Sequence, residues 1–201
     1  MLLDVVVLPP PELREKVGRK IKKAAAGYPA GFVVDNKKFI PHLSLWHLKT
    51  DKSKIDGLAK KLEGVVKHQK PLSIHSAAFN VEPMVQGVIV EFPIRKNAAL
   101  SVLREKVFSR AYHFKTGIVP PFKPFGIPKG KALVETKKYG RPLGFYPHFT
   151  MGWLESMKDS RAVQRKMKKT KFSFTAKEIY ICEINRWWQV TRIVKKIDFG
   201  Q

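Results

Sequence analysis

The chain has 201 residues, 44% hydrophobic and 27% charged, enough to bury a core as one sizeable domain or two small fused lobes. Its 39 Lys and Arg against 16 Asp and Glu give a net charge of +23, an excess that attracts polyanions but identifies no reaction by itself. A single cysteine, Cys182 in an apolar strand-like run, excludes an intrachain disulfide and a multi-cysteine zinc site.

Leu2 to Leu8 reads as a buried strand. It carries Asp4, lacks a basic flank and is too short to span a bilayer, so it is a poor signal peptide and a cytoplasmic protein with no membrane association is expected. After Pro9-Pro10-Pro11, Leu13, Val17 and Ile21 recur every fourth residue and predict a helix that Gly27 ends. Phe39 to Leu48 is strand-like, and Ile55, Leu58, Leu62 and Val65 form a second helical stripe after Ser53. Strands follow near Leu72–Phe79 and Val85–Phe92, joined across Glu82-Pro83, and Asn97 caps a third helix carrying Leu100, Leu103, Val107 and Ala111.

Residues 114–147 break this regularity. The stretch is rich in Pro, Gly and aromatic residues, and carries Lys115, Lys123, Lys129, Lys131, Lys137, Lys138 and Arg141 against Glu135 alone. Long loops in small domains are usually functional or mobile. Beyond it, Tyr146–Leu154 is strand-like, Asp159 is placed to cap a weak helix through Val163 and Met167, and Phe172–Ile184 and Trp187–Phe199 form a hairpin across Asn185-Arg186. The order strand, helix, strand, strand therefore occurs twice, at about 38–92 and 146–199, which reads as a cryptic duplication within a single bilobal domain of residues 1–201.

Each copy opens on the same motif: Ile40-Pro41-His42-Leu43-Ser44-Leu45 and Tyr146-Pro147-His148-Phe149-Thr150-Met151. Among six histidines, only these two follow a proline and precede a hydroxyl residue by two. Residues i and i+2 of a strand share a face, so each motif presents an imidazole beside a hydroxyl, with apolar residues on the opposite face. Two such strands about a pseudo-twofold axis would set two acid/base groups and two hydroxyl donors around one phosphate. Imidazole suits the task because both its protonation states are accessible near neutrality.

With both motifs in view, the chain resembles the 2H phosphoesterase superfamily, in particular its 2′-5′ RNA ligase-like branch, defined by paired H-x-[ST] motifs. The resemblance covers nearly the whole chain in element order, although motif identity is confined to two short segments. It implies an α+β fold of two pseudo-symmetric lobes of antiparallel β-sheet with outer helices around a central cleft. It also implies hydrolysis of RNA ends bearing a 2′,3′-cyclic phosphate to a 2′-phosphate, without metal or cofactor, with 2′-5′ ligation as a related activity. His42 and His148 would be the acid/base pair, with Ser44 and Thr150 on the phosphate. The first motif has Ser where the family usually has Thr, and the hydroxyl survives.

His47 follows His42 by five residues, an odd spacing that sends it to the other strand face and predicts a packed or edge position. His68, His75 and His113 have no repeated context, and neither H-E-x-x-H nor paired cysteines point to a metal centre. Strict alternation places Trp46 on the His42 face and Trp153 on the face away from His148. Trp46 and Tyr146 are candidate substrate contacts through base stacking, and Lys137, Lys138 and Arg141 through phosphate. For Trp187 and Trp188 core packing competes with a binding role. The loop 114–147, with Phe122, Phe125, Tyr139, Phe145 and Tyr146, is expected to wall the site. Arg161, Arg165, Lys166, Lys168, Lys169 and Lys171 form a basic helix face, either simply solvated or guiding an RNA body from the cleft. A monomer acting on RNA or a nucleotide with a cyclic phosphate end is expected. The alternatives are a phosphodiesterase for a small cyclic nucleotide or 2′-5′ oligoadenylate, and a non-catalytic RNA- or nucleotide-binding module.

Overall fold

The computed structural model describes residues 1–122 and 126–200. Its strands are β1 Leu2–Val7, β2 Ala30–Val33, β3 Leu43–Lys49, β4 Leu72–His75, β5 Asn80–Pro83, β6 Val88–Pro93, β7 His148–Leu154, β8 Ser173–Ala176, β9 Glu178–Ile184 and β10 Val190–Asp198. The helices are α1 Pro11–Ala25, α2 Ile55–Val66, α3 Ala98–Ala111, α4 Gly130–Tyr139 and α5 Met157–Met167.

One half-sheet runs β10-β9-β1-β3 and the other runs β7-β6-β5 with β2 also on β7, all pairs antiparallel. Among the described residues one ladder pair joins β3 to β7, Leu43 with Phe149, each next to its motif histidine. The cavity lined by His42, Ser44, His148 and Thr150 lies beside this junction. A separate ribbon, β4 with β8, ties residues 72–75 to 173–176. This is the two-lobed α+β architecture that the motif resemblance implies.

Helices α1, α2, α3 and α5 pack against the strands. In α1, Val17 and Ile21 are buried, Pro11 occupies the first turn, where a missing N–H costs nothing, and Gly27 beyond the end adopts φ +84°. Helix α2 packs on α3 and β10, whereas α5 packs on α1, β5 and β6. Asn97 caps α3 by accepting from the Leu100 N–H at 3.0 Å. Buried Val163 and Met167 of α5 join the same core cluster as Leu43 and Phe149.

Several boundaries differ from the sequence reading. Glu82 and Pro83 lie within β5, and the hairpin turns through Met84–Gly87, where Gly87 takes φ +73°. Ser156, not Asp159, caps α5: its hydroxyl accepts from the Asp159 N–H and donates to the Asp159 carboxylate. The irregular stretch 114–147 contains α4, and residues 30–33 form a short strand that no periodicity announced.

Candidate active site

The two motif histidines are held in the same way. His42 Nδ1 meets the Ile40 carbonyl at 2.8 Å and His148 Nδ1 meets the Tyr146 carbonyl at 2.7 Å. In each case the acceptor lies two residues back, across the motif proline. Proline fixes its own φ and keeps the preceding residue extended, which presents that carbonyl to the ring. A carbonyl can only accept, so Nδ1 carries the proton and Nε2 is left for chemistry.

His42, Ser44, His148 and Thr150 all line one cavity of about 420 Å³. His42 is buried, 4% exposed, whereas the His148 side chain is 27% exposed. Burial lowers the His42 pKa from its ordinary value, and the charge of His148 acts in the same direction; Asp4 and the Ile40 and Trp188 carbonyls oppose the shift.

Each histidine has a buried carboxylate on the neighbouring strand. Asp4 of β1 lies 3.9 Å from His42 Nε2, and Glu91 of β6 lies 3.6 Å from His148 Nε2. Asp4 accepts from the Ser44 hydroxyl at 2.6 Å and from His47 Nε2 at 2.9 Å. Its burial raises its pKa, but His47, His42 and Ser44 together hold it below the ordinary aspartate value. Burial raises the Glu91 pKa against opposing effects of His148, Asn80 and Tyr146, and the Tyr146 phenol is itself raised by burial and by Glu91. Thr150 Oγ1 lies 3.1 Å from His148 Nε2.

His47 belongs to this site, contrary to the alternation argument. Val5 pairs with Trp46 and Val6 with Ser44, so Leu45 is an unpaired bulge residue. A bulge inserts one residue and reverses the facing of those that follow. His47 therefore shares the face of Ser44, and Trp46 turns into the core, 4.6 Å from Phe108 and away from the cavity lining. The second motif repeats this feature, with Val90 opposite Gly152, Glu91 opposite Thr150, and Met151 bulged. Trp153 is thereby brought to the Thr150 face, where its Nε1 donates to the Gln86 carbonyl and its ring meets Phe122 at 6.1 Å.

Among the other expected contacts, Arg141 and Tyr146 line the cavity. Lys137 and Lys138 do not; they are exposed on the last turn of α4, and Lys138 lies over the Tyr139 ring. Phe122, Phe145, Trp187 and Trp188 line the cavity, so the stretch 114–147 does form part of its wall. Lys123 and Phe125 lie outside the described residues. Trp188 holds φ +57°, and the loop that carries it is braced by Asn185 Oδ1, which accepts from the Trp187 and Gln189 N–H groups. The basic residues Arg161, Arg165, Lys166, Lys168 and Lys169 are exposed on or just after α5, on the opposite side of the sheet from the cleft.

Sequence reasoning missed Asp4, Glu91 and His47 as site residues, and also Arg104 of α3, a buried residue that lines the cavity and donates to the Leu143 carbonyl. The first two were marked by a usable signal: each is a lone carboxylate in an apolar strand, LLDVVV and VIVEFP. A charge there must be buried and partnered. No helix is long and apolar enough to cross a membrane among the described residues.

Two histidine–hydroxyl strands meeting at the junction of two antiparallel half-sheets define the class of fold: that of the 2H phosphoesterases. Solved structures carry the same architecture over full length. TT0787 of Thermus thermophilus superposes with a TM-score of 0.61 at 12% identity, covering 100% of both chains. E. coli LigT in complex with 3'-AMP gives 0.61 at 16% identity, covering 99% of this chain and 98% of LigT. A structure described as a phosphoesterase gives 0.55 at 14% identity, covering 100% and 99%. No family model and no curated protein sequence matches the chain.

Proposed function

We propose that the protein is an RNA-end 2′,3′-cyclic phosphodiesterase whose acid/base pair is His42 and His148. The observation that carries the reading is the convergence of both histidines, each with its hydroxyl partner, on one cavity. One imidazole, neutral, takes a proton from water as its oxygen bonds to phosphorus. The other, protonated, gives a proton to the ribose 3′ oxygen as the P–O3′ bond breaks, leaving a 2′-phosphate. A 5′-hydroxyl in place of that water would yield a 2′-5′ linkage by the same steps. Hydrogen-bond donors on the non-bridging oxygens stabilise charge that grows in the transition state.

The shared fold supports a phosphoesterase-type enzyme, and LigT, which has that fold, has been crystallised with the nucleotides 3'-AMP, ATP and NADP+. The net charge of +23 favours a polymeric RNA substrate. A second reading, a phosphodiesterase for a small cyclic nucleotide, is favoured by the cavity itself, whose volume and aromatic walls suit a single nucleotide. An end-group assay in EDTA separates these readings, using RNA with a 2′,3′-cyclic end beside the corresponding mononucleotide. The first reading expects a 2′-phosphate product and a higher kcat/KM on RNA. Faster turnover of the mononucleotide selects the second reading, and no turnover of either substrate removes both.

A further inference from the structure

The two halves of the cleft differ in how they hold their hydroxyls. Among the described residues the Thr150 hydroxyl is bonded only to His148, so its proton becomes available to a phosphate oxygen when Nε2 of that ring donates. Ser44 is in a different position. Its single proton goes to Asp4 at 2.6 Å, a fully buried carboxylate held in the charged form by its neighbours. A serine committed in this way cannot also donate to a substrate oxygen.

A guanidinium stands beside it. Arg141, from the segment after α4, lines the same cavity as His42, Ser44 and His148. Its Nη1 donates to His47 Nδ1 and its Nε to the Pro142 carbonyl. Arginine is only a donor, so His47 must accept at Nδ1 and carry its proton on Nε2, which donates to Asp4. The resulting chain runs from Arg141 through neutral His47 to Asp4, where Ser44 also ends. Three of the five guanidinium N–H bonds, two of them on Nη2, have no protein acceptor among the described residues. The group lies 5.6 Å from the Trp188 ring and 5.5 Å from the Trp46 ring. Its pKa is pushed down to about 10, chiefly by burial, so it stays charged at neutral pH.

We propose that Arg141 is the phosphate-binding donor on the first-motif side of the cleft, with His47 and Asp4 as its positioning residues. The phosphate is then gripped unequally, by the Thr150 hydroxyl on one side and by a planar cationic fork on the other. Such a fork matches two non-bridging oxygens and strengthens its hold as their charge grows. Lys137 and Lys138 take no part. The inference rests on the proposed phosphodiester substrate but can be tested without turnover.

The test is calorimetric titration of the full chain with inorganic phosphate and with a nucleoside 2′-monophosphate, alongside KM and kcat on a cyclic end. Arg141→Met is expected to weaken both ligands roughly ten- to hundredfold, the size of a lost charge-assisted contact, and to raise KM more than it lowers kcat. His47→Leu, which removes the acceptor for Arg141, should weaken binding similarly. His47→Gln offers an oxygen to Arg141 and an N–H to Asp4, and should recover affinity to within about threefold. Melting temperatures control for folding, and Arg141→Met, on a half-buried segment, keeps the test valid if the buried His47 variants unfold. Unchanged phosphate affinity in Arg141→Met overturns the inference, as does folded His47→Gln binding as weakly as His47→Leu. Absence of turnover with intact Arg141-dependent phosphate binding would instead remove the phosphodiesterase reading and leave this one standing.

Discussion

His47 makes the internal electrostatics of the site measurable. Burial, with Arg141 alongside, pushes its pKa from 6.5 down to about 4, despite the opposing pull of Asp4. The unfolded chain binds a proton at this residue below about pH 6.5 while the folded chain does not, so folding loses stability as pH falls from 6.5 towards 4. Integrating that difference from neutral pH to pH 4.5 gives a loss of about 2.5 kcal/mol from this one residue. For a domain of this size the loss corresponds to roughly 5–10 °C in melting temperature. His42, also shifted down, acts in the same direction. Glu91 opposes: its pKa is raised, so the folded state takes up this proton before the unfolded chain does as pH falls, which adds stability. Asp4, shifted down from 3.8, contributes only below this window. His47→Gln keeps a hydrogen-bond donor on Asp4 and leaves His42 and Glu91 in place, so its difference from wild type reports chiefly on His47. Thermal melts followed by circular dichroism at pH 7 and pH 4.5 should show the acid-induced drop shrinking by that amount in the variant. An equal drop in both proteins would mean that His47 is charged in the fold, and the Arg141–His47–Asp4 chain would be wrong.

Phe149→Ala, at the residue pair joining the two half-sheets and against Phe172 at 5.3 Å, should cost about 3–5 kcal/mol in urea unfolding; a loss below about 1 kcal/mol would show that the junction is not a packed core. Gly87→Ala should also destabilise, by about 1–3 kcal/mol, because Gly87 takes φ +73° and a Cβ there would come within 2.1 Å of Trp153 Nε1; the accompanying change in tryptophan emission would be absent if the indole lay elsewhere. Glutamate at Arg161 and Arg165, on the face opposite the cleft, should leave turnover of a cyclic mononucleotide unchanged, because neither residue lines the cavity; a fall of more than about tenfold would connect that face to the chemistry.

The histidine–hydroxyl pairs were legible in the sequence because period-two alternation survives between positions 42 and 44 and between 148 and 150. It fails one residue later in both strands. Leu45 and Met151 are bulged, and nothing in an apolar run distinguishes a bulged residue from a paired one. That single slip misassigned Trp46, His47 and Trp153. Helices α1, α2 and α3 were visible through their apolar stripes. Helix α4, with Thr136 as its buried residue, has no stripe to read, and its Gly and Pro neighbours suggested a loop. The carboxylates that face the histidines come from β1 and β6, distant in sequence, and only strand pairing brings them into place.

The most direct test of the account is the single-turnover rate on RNA with a 2′,3′-cyclic phosphate for His42→Ala, His148→Ala and the double variant. The two imidazoles should act on one phosphate as a unit. Each single loss should lower the rate by roughly 10²–10⁴, and the double variant should fall far less than the product of the two. Full rate in either single variant would contradict the shared-phosphate mechanism.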